Sequence, residues 1–346
     1  MKKILPKLSH LAILSLVLIT PSSFAQLVNP ISAATSISVS GVTPVAKAAA
    51  TTAPTWVKVS PTAGGLSTGL NQAWMSPDVS SAWSSGYSGK GSTITSIDNF
   101  STATSNLSTG NVGTGTFSLS HGAWTAGMSY MIAPNASLAS QDYTTASGTL
   151  IPLAKTGLNV INASYAMYAA KTYTVANMNW SKEEQSLISY ATNGNAIVAK
   201  AAGNDAVAIG AANAAGQIDF LNTALSTGKT QIFVGALTGN GTTTAKASMQ
   251  TYSNTAGTNT LVQAHFLSVG VNSTQLGGLA GTSFAAPIVS GYAAILGSKF
   301  TTSTPTSITN QLLNTARTDT LNNYSAAVYG KGEASLSRAL APATIK

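Results

Sequence analysis

The chain has 346 residues, of which only 8% are charged, with 17 Lys and Arg against 9 Asp and Glu and a net charge of +8. It has no cysteine, which excludes disulfides, thiol catalysis and Cys-ligated zinc. The basic residues form no stripe interleaved with aromatics, so nucleic acid is not an expected partner.

Residues 1–25 read as a secretory signal peptide. Lys2, Lys3 and Lys7 give a positive start, Leu11 to Thr20 an apolar core, and Ser23-Phe24-Ala25 a small-residue cleavage site. That core is too short to span a bilayer, and no later segment is long and apolar enough to do so. The expected location is secreted or periplasmic, after cleavage near Ala25. No cysteine follows the cleavage site, so no lipid anchor is expected. Loss of the signal peptide leaves 14 of the 17 basic residues against 9 acidic ones, a net of +5. Residues 26–67 read as a low-complexity leader or short propeptide, with Pro30, Pro44, Pro54 and Pro61 and one short strand near Trp56 to Val59.

The pattern changes near residue 68. A helix is expected over Asn71 to Trp83, closed by the glycine-rich turn Gly86 to Gly91. Ser92 to Ile97 reads as a strand with Asp98 at its carboxyl end. After a Gly/Ser/Thr loop, His121 opens an Ala/Gly-rich helix running to Ala133, and a strand follows from Leu138. Leu158 to Ser164 is a short strand, and Trp180 to Thr192 is a helix. Asn195 to Ala202 is a strand ending in Gly203-Asn204, and Gln231 to Ala236 is another. Ser283 precedes an apolar helix from Phe284 to Leu296. Pro287 falls in its first turn, where a missing N–H costs little. A further helix is expected around Ile308 to Ala316. Strands alternating with helices predict an α/β domain over residues 68–342, with a mostly parallel sheet and helices on both faces, and a tail at 343–346.

In such sheets, ligand chemistry collects at the carboxyl ends of the strands. Asp98 and Asn204 fall at expected strand ends, and His121 and Ser283 at expected helix starts. A serine before a helix is either an N-cap or a nucleophile favoured by free N–H groups and the helix dipole. Its partners decide between the two. Of three histidines, His10 lies in the signal peptide, which leaves His121 and His265. A serine hydroxyl is a weak nucleophile until a base takes its proton, and His121 is the candidate base. Asp98 supplies the acceptor that an imidazole needs on its other nitrogen. The Ser283 N–H and the Asn204 amide are candidate donors to an oxyanion. The chain order is Asp, His, Ser. His265 is read as a structural or surface residue, and Asp142 and Asp205 as structural.

The flanks of these residues carry a family resemblance. Gly281-Thr282-Ser283-Phe284-Ala285-Ala286-Pro287-Ile288-Val289-Ser290-Gly291 resembles the serine motif of the subtilisin-like serine proteases, or subtilases (peptidase family S8), at every fixed position. Val198 to Asp205 is similar to the strand that delivers their oxyanion asparagine. His121-Gly122-Ala123-Trp124-Thr125-Ala126-Gly127 resembles their histidine motif, and Gly89-Lys90-Gly91 with Ile94 to Asp98 resembles their aspartate strand. Tyr329-Gly330-Lys331-Gly332 and a helix over Ala334 to Leu340 resemble the end of their catalytic domain.

The resemblance implies a three-layer subtilisin-like fold and a serine endopeptidase acting on protein or peptide substrates, secreted by way of the signal peptide and expected to be a monomer. It implies Asp98, His121 and Ser283 as the triad and Asn204 as the oxyanion donor. Ser164-Tyr165-Ala166 and Ala201-Ala202-Gly203 would be the segments against which an extended substrate lies by backbone pairing, which tolerates many sequences. No cofactor is expected. Family members often bind Ca²⁺ through carboxylate-rich loops, but no loop here has clear oxygen-ligand spacing, and only a weak carbonyl- or Asn-based site is left open.

Three departures stand out. Asp98-Asn99-Phe100 replaces the usual Asp-Thr-Gly or Asp-Ser-Gly, Trp124 replaces a second histidine, and Ala166 replaces a glycine beside the primary specificity pocket. The leader is too short and irregular for the folded pro-domain many members carry. The altered Asp98-Asn99-Phe100 and Ala166, with the Ser/Thr/Asn-rich surface, motivate one alternative, a catalytically weak or inactive subtilase-fold surface or adhesion module; a serine esterase or amidase on the same triad is another.

Overall fold

The computed structural model describes residues 35–36, 71–100, 103–108, 116–143, 149–276, 278 and 280–345. The signal peptide, the strand expected near Trp56 to Val59 and nearly all of the leader lie outside these residues.

Six strands form one sheet: β1 (Ser92–Asp98), β2 (Ser137–Asp142), β3 (Leu158–Ala163), β4 (Ile197–Ala201), β5 (Gln231–Leu237) and β6 (Phe266–Gly270). Their spatial order is β6-β5-β4-β3-β1-β2, and every neighbouring pair is parallel. Both faces are covered, as a parallel sheet requires. The alternation of side chains in β4 shows how. Ile197, Ala199 and Ala201 join the apolar cluster on one face, and Val198 joins the cluster on the other.

The first face carries α1 (Pro77–Ser84), α2 (His121–Ile132), α5 (Ala286–Lys299), α6 (Pro305–Asn314) and α7 (Leu336–Leu340). The second carries α3 (Lys182–Asn193) and α4 (Phe220–Leu225). These are the three layers expected from the sequence.

Helix α5 is buried from Ala286 to Gly297. That accounts for an apolar run without an amphipathic stripe, since every side of the helix meets protein. Its Gly291 lies so close to α2 that a Cβ there would stand 2.3 Å from the Ile132 side chain. Helix α1 starts later than the sequence suggested, because Ser76 caps it and Pro77 occupies its first turn. Helix α3 starts after Ser181, whose hydroxyl accepts from the Glu183 and Glu184 N–H groups while the Glu184 carboxylate takes the Ser181 N–H.

Strand β6 was not expected. Its five residues, Phe266-Leu267-Ser268-Val269-Gly270, carry no period that separates strand from helix. The loop expected between Asp98 and His121 also holds structure, an antiparallel pair formed by Ala103–Ser108 and Thr116–Ser120. A second small pair joins Tyr168–Ala170 to Gln217–Asp219.

The sheet order steps one way from β1 to β2 and the other way from β3 to β6. The carboxyl ends of β1 and β3 therefore flank a switch point, where open α/β sheets form a crevice.

Candidate active site

Asp98 ends β1 at that switch point and is 1% exposed. One carboxylate oxygen, Oδ1, lies 2.7 Å from His121 Nδ1 and also accepts from the Asn99 N–H at 2.7 Å. The other, Oδ2, accepts from the Thr125 hydroxyl at 3.0 Å. Thr125 lies one helical turn beyond His121 in α2, so one helix supplies both the imidazole and a hydroxyl to the same carboxylate.

The departure after Asp98 has a packing reason. The Phe100 side chain is buried beneath the start of α2. The Asn99 carbonyl accepts from the Gly122 N–H at 2.9 Å. A Cβ on Gly122 would lie 2.9 Å from both that carbonyl and the Phe100 ring. Asp98-Asn99-Phe100 and His121-Gly122 thus form one interlocked corner that sets the imidazole against the carboxylate. Trp124 is buried in the apolar cluster.

Burial draws the His121 imidazole down, but the charge of Asp98 and its hydrogen bond push it up by more, so its pKa lies above the ordinary 6.5. The imidazole keeps 23% of its side-chain surface exposed, so it is open to the crevice.

Ser283 is 8% exposed and sits in a single 3₁₀ turn, Thr282–Phe284, ahead of α5. His121 lies beside this turn, with its ring centroid 5.9 Å from that of Phe284. The Ser283 hydroxyl donates to the Ser164 carbonyl at 3.3 Å, and the Ser164 hydroxyl donates to the Ser283 carbonyl at 3.0 Å. The Ser283 N–H makes no hydrogen bond among the described residues.

Asn204 follows β4 and Gly203. Its Oδ1 accepts from the Thr282 N–H at 2.8 Å and from the Thr282 hydroxyl at 3.0 Å. Two donors on the oxygen fix the amide plane and leave Nδ2 as a donor directed away from Thr282. The Thr282 hydroxyl in turn accepts from the Gly203 N–H at 3.0 Å. Asp98, His121, Ser283 and Asn204, spread over 186 residues of sequence, are therefore gathered at one edge of the sheet.

Sequence reasoning missed Asn254, which is 4% exposed. Its Oδ1 accepts from the Asp205 and Val207 N–H groups at 2.9 and 3.2 Å, and its Nδ2 donates to the Ala202 carbonyl at 3.0 Å. One side chain thereby holds both sides of the Asn204 turn. Gly203 adopts φ +113 there, and a Cβ would stand 2.3 Å from Asn254 Nδ2. Nothing around Ser253-Asn254-Thr255 signals this role, because it depends on a loop distant in sequence. Tyr252 is a second such residue. Its hydroxyl accepts from the Gly281 N–H at 2.9 Å, and burial pushes its pKa up to about 12.

The two segments expected to cradle substrate lie side by side, following the paired strands β3 and β4. The Ala202 carbonyl accepts from both Asn222 and Asn254, the Gly203 N–H is held by Thr282, and the Gly203 carbonyl takes the Asn254 N–H. Gly203 and Ala202 thus have their main-chain groups engaged within the chain, and this segment presents a wall more than a pairing edge.

Asp142 and Asp205 sit in structural settings. Asp142 pairs in register with Asp98 across β1 and β2 and accepts from the Phe100 N–H at 3.2 Å. Asp205 accepts from the Tyr168 hydroxyl and from the Asn213 amide. His265 closes the short helix Thr260–Ala264, with Nδ1 3.1 Å from the Leu261 carbonyl, and lies outside the cluster. Among the described residues, no group of three or more His, Asp or Glu is placed to hold a metal ion. No described helix is long and apolar enough to cross a membrane.

Residues 86–332 match the family model described as the subtilase family, Peptidase S8. Among solved structures, MycP1, described as a serine protease and an essential component of the type VII (ESX-1) secretion system, is 19% identical with a TM-score of 0.50, and the match covers 81% of this chain and 91% of that one. The prenylagaramide maturation protease PagA is 18% identical with a TM-score of 0.49, covering 77% of this chain and 98% of that one. A protease from Pseudoalteromonas arctica is 17% identical with a TM-score of 0.48, covering 76% of this chain and 93% of that one. The likeness to MycP1 supports the fold. No curated protein matches the chain.

Proposed function

The chain belongs to the subtilase family and is a serine-type peptidase, and on that premise we propose that it is an exported endopeptidase using Asp98, His121 and Ser283 as its triad and Asn204 as an oxyanion donor. The observation that carries this reading is the 2.7 Å contact of His121 Nδ1 with a buried Asp98 carboxylate, on the helix that also lines the Ser283 turn.

Ser283 Oγ exchanges its bond to the Ser164 carbonyl for one to His121 Nε2 when substrate enters. Oγ attacks the peptide carbonyl as its proton passes to Nε2. Asp98 holds the Nδ1–H and stabilises the imidazolium without taking its proton. The new oxyanion receives the Ser283 N–H and Asn204 Nδ2. As the tetrahedral species collapses, His121 returns the proton to the leaving amine. Water then repeats the sequence on the acyl-enzyme and regenerates the serine.

Substrate lies extended against Ser164-Tyr165-Ala166 and Ala201-Ala202-Gly203, the second segment serving as a wall because its Ala202 and Gly203 main-chain groups are engaged within the chain. The reaction runs on the chain's own side chains, with no cofactor. Export rests on the signal-peptide pattern of residues 1–25.

Active-site labelling with a fluorophosphonate tests the reading. The purified chain is expected to label on Ser283, and Ser283→Ala to abolish the label. An unlabelled wild-type chain returns the reading to an inactive surface module. Turnover of small esters without any turnover of proteins returns it to an esterase.

A further inference from the structure

Lys200 is the one charged side chain in β4, and it is fully buried. Its Nζ donates to the Ala201 carbonyl at 2.7 Å and to Asp219 Oδ2 at 3.1 Å. Asp219, 6% exposed, caps α4 by accepting from the Leu221 N–H at 3.1 Å. The same oxygen, Oδ1, accepts from the Met167 N–H at 3.0 Å. The pair therefore has one hand on each cradle segment. Lys200 holds the carbonyl that opens Ala201-Ala202-Gly203, and Asp219 holds the N–H just past Ser164-Tyr165-Ala166.

The strands themselves cannot do this. The β3–β4 ladder ends at Ala163 opposite Lys200, and beyond that point no ladder fixes the distance between the two chains. Helix α4 fills the space instead. The Phe220 N–H donates to the Met167 carbonyl at 2.9 Å, and the Asn222 amide donates to the Ala202 carbonyl at 2.9 Å. Both chains thus hang on the first turn of one short helix.

We propose that Lys200 and Asp219 are positioning residues of the substrate cradle, their buried ion pair fixing the separation of the two segments between which substrate is held. The inference rests on the cradle reading given under Proposed function. A buried ion pair contributes little net stability compared with an apolar pair of similar size, so its retention beneath a binding cleft fits a geometric role. The lysine holds one segment directly and the other through Asp219, by charge-assisted bonds that are stronger than neutral ones.

The experiment uses the full chain in wild-type, Lys200→Met, Asp219→Asn and doubly substituted forms. Each is measured for melting temperature, for kcat and KM on a set of extended peptides, and for the rate of fluorophosphonate labelling at Ser283. Lys200→Met leaves a buried carboxylate unpaired and is expected to lower the melting temperature. The double variant removes both charges, keeps an acceptor for the Met167 N–H, and is expected to regain that stability. The proposal requires that it not regain substrate binding. KM on extended peptides is expected to stay raised by about tenfold, with an altered order of peptide preference, while labelling by the small probe changes far less. A double variant with wild-type KM and wild-type preferences overturns the proposal and leaves the pair a structural one. Equal losses of labelling and peptide turnover overturn it as well, because the pair would then act on the whole fold. An unlabelled wild-type chain is a different failure, that of the nucleophile assignment itself.

Discussion

Ser164 and Ser283 exchange hydrogen bonds, each hydroxyl donating to the other's carbonyl, at 3.0 Å from Ser164 and 3.3 Å from Ser283. The Ser164 hydroxyl also meets the Asn162 amide, within 3.1 to 3.3 Å, so a buried relay from β3 fixes the turn that carries the candidate nucleophile. The carbonyl on which the Ser283 hydroxyl rests belongs to the proposed cradle. Substrate occupying that carbonyl would release the hydroxyl toward His121.

Ser164→Ala removes the donor to the Ser283 carbonyl and leaves that buried oxygen short of a partner. A stability loss of about 1–2 kcal/mol is expected by denaturant melting. A kcat about tenfold lower is expected from looser positioning, worth about 1.4 kcal/mol. Unchanged kcat in a folded variant would separate Ser164 from the nucleophile.

Asn204→Ala deletes a proposed oxyanion donor that substrate in its ground state does not need. Turnover is expected to fall by roughly 10²–10³ with KM nearly unchanged. A rise in KM with kcat intact would place Asn204 in ground-state binding instead.

The pH profile reports the Asp98–His121 pair. His121 must be neutral to act as base, and its pKa lies above 6.5, because the carboxylate's charge and hydrogen bond outweigh burial. The acid limb of kcat/KM is therefore expected above pH 6.5. Asp98→Asn removes the raising charge, so the limb moves to lower pH while kcat falls by roughly 10⁴. For stability the sign is opposite to that of activity. A group whose pKa is raised on folding stabilises fully below its unfolded value and loses that contribution as pH rises through the folded value. The His121 contribution to melting temperature should fade above pH 6.5 in the wild type and be absent in Asp98→Asn.

Asn254→Ala empties the bracket around the Asn204 turn and leaves the Asp205 and Val207 N–H groups without their acceptor. A loss of about 1–3 kcal/mol is expected, with kcat reduced although Asn254 touches none of the proposed reacting groups. Asn254→Asp keeps the acceptor and should recover part of both. Equal damage from the two variants would mean that the donor to the Ala202 carbonyl is what matters.

Gly122→Ala forces a methyl against the Asn99 carbonyl and the Phe100 ring. A cost of about 1–3 kcal/mol is expected from overpacking. The strain falls on the residue after His121, so activity should fall further than stability alone predicts. Pairing it with Phe100→Leu should relieve part of the strain, which a double-mutant cycle would detect.

The sequence by itself determined the layer architecture and nominated the candidate site residues. Short β-rich and apolar runs set the strands β1 to β5, and the scarcity of histidine left His121 with a single competitor. The intact run Gly281 to Gly291 marked Ser283. These features are local, so a linear reading reaches them. Its limits were also physical. The five residues of β6 carry too little pattern to declare a strand. The cap at Ser76 and the box at Ser181 moved helix starts by a few residues. Asn99-Phe100 looked like a defect in the aspartate loop until the fold placed Gly122 against it. Only the tertiary structure decided what supports the site. Asn254, Thr125, Ser164 and the Lys200–Asp219 pair act through contacts between segments far apart in sequence. A hydrogen bond of that kind leaves no period, motif or composition behind it.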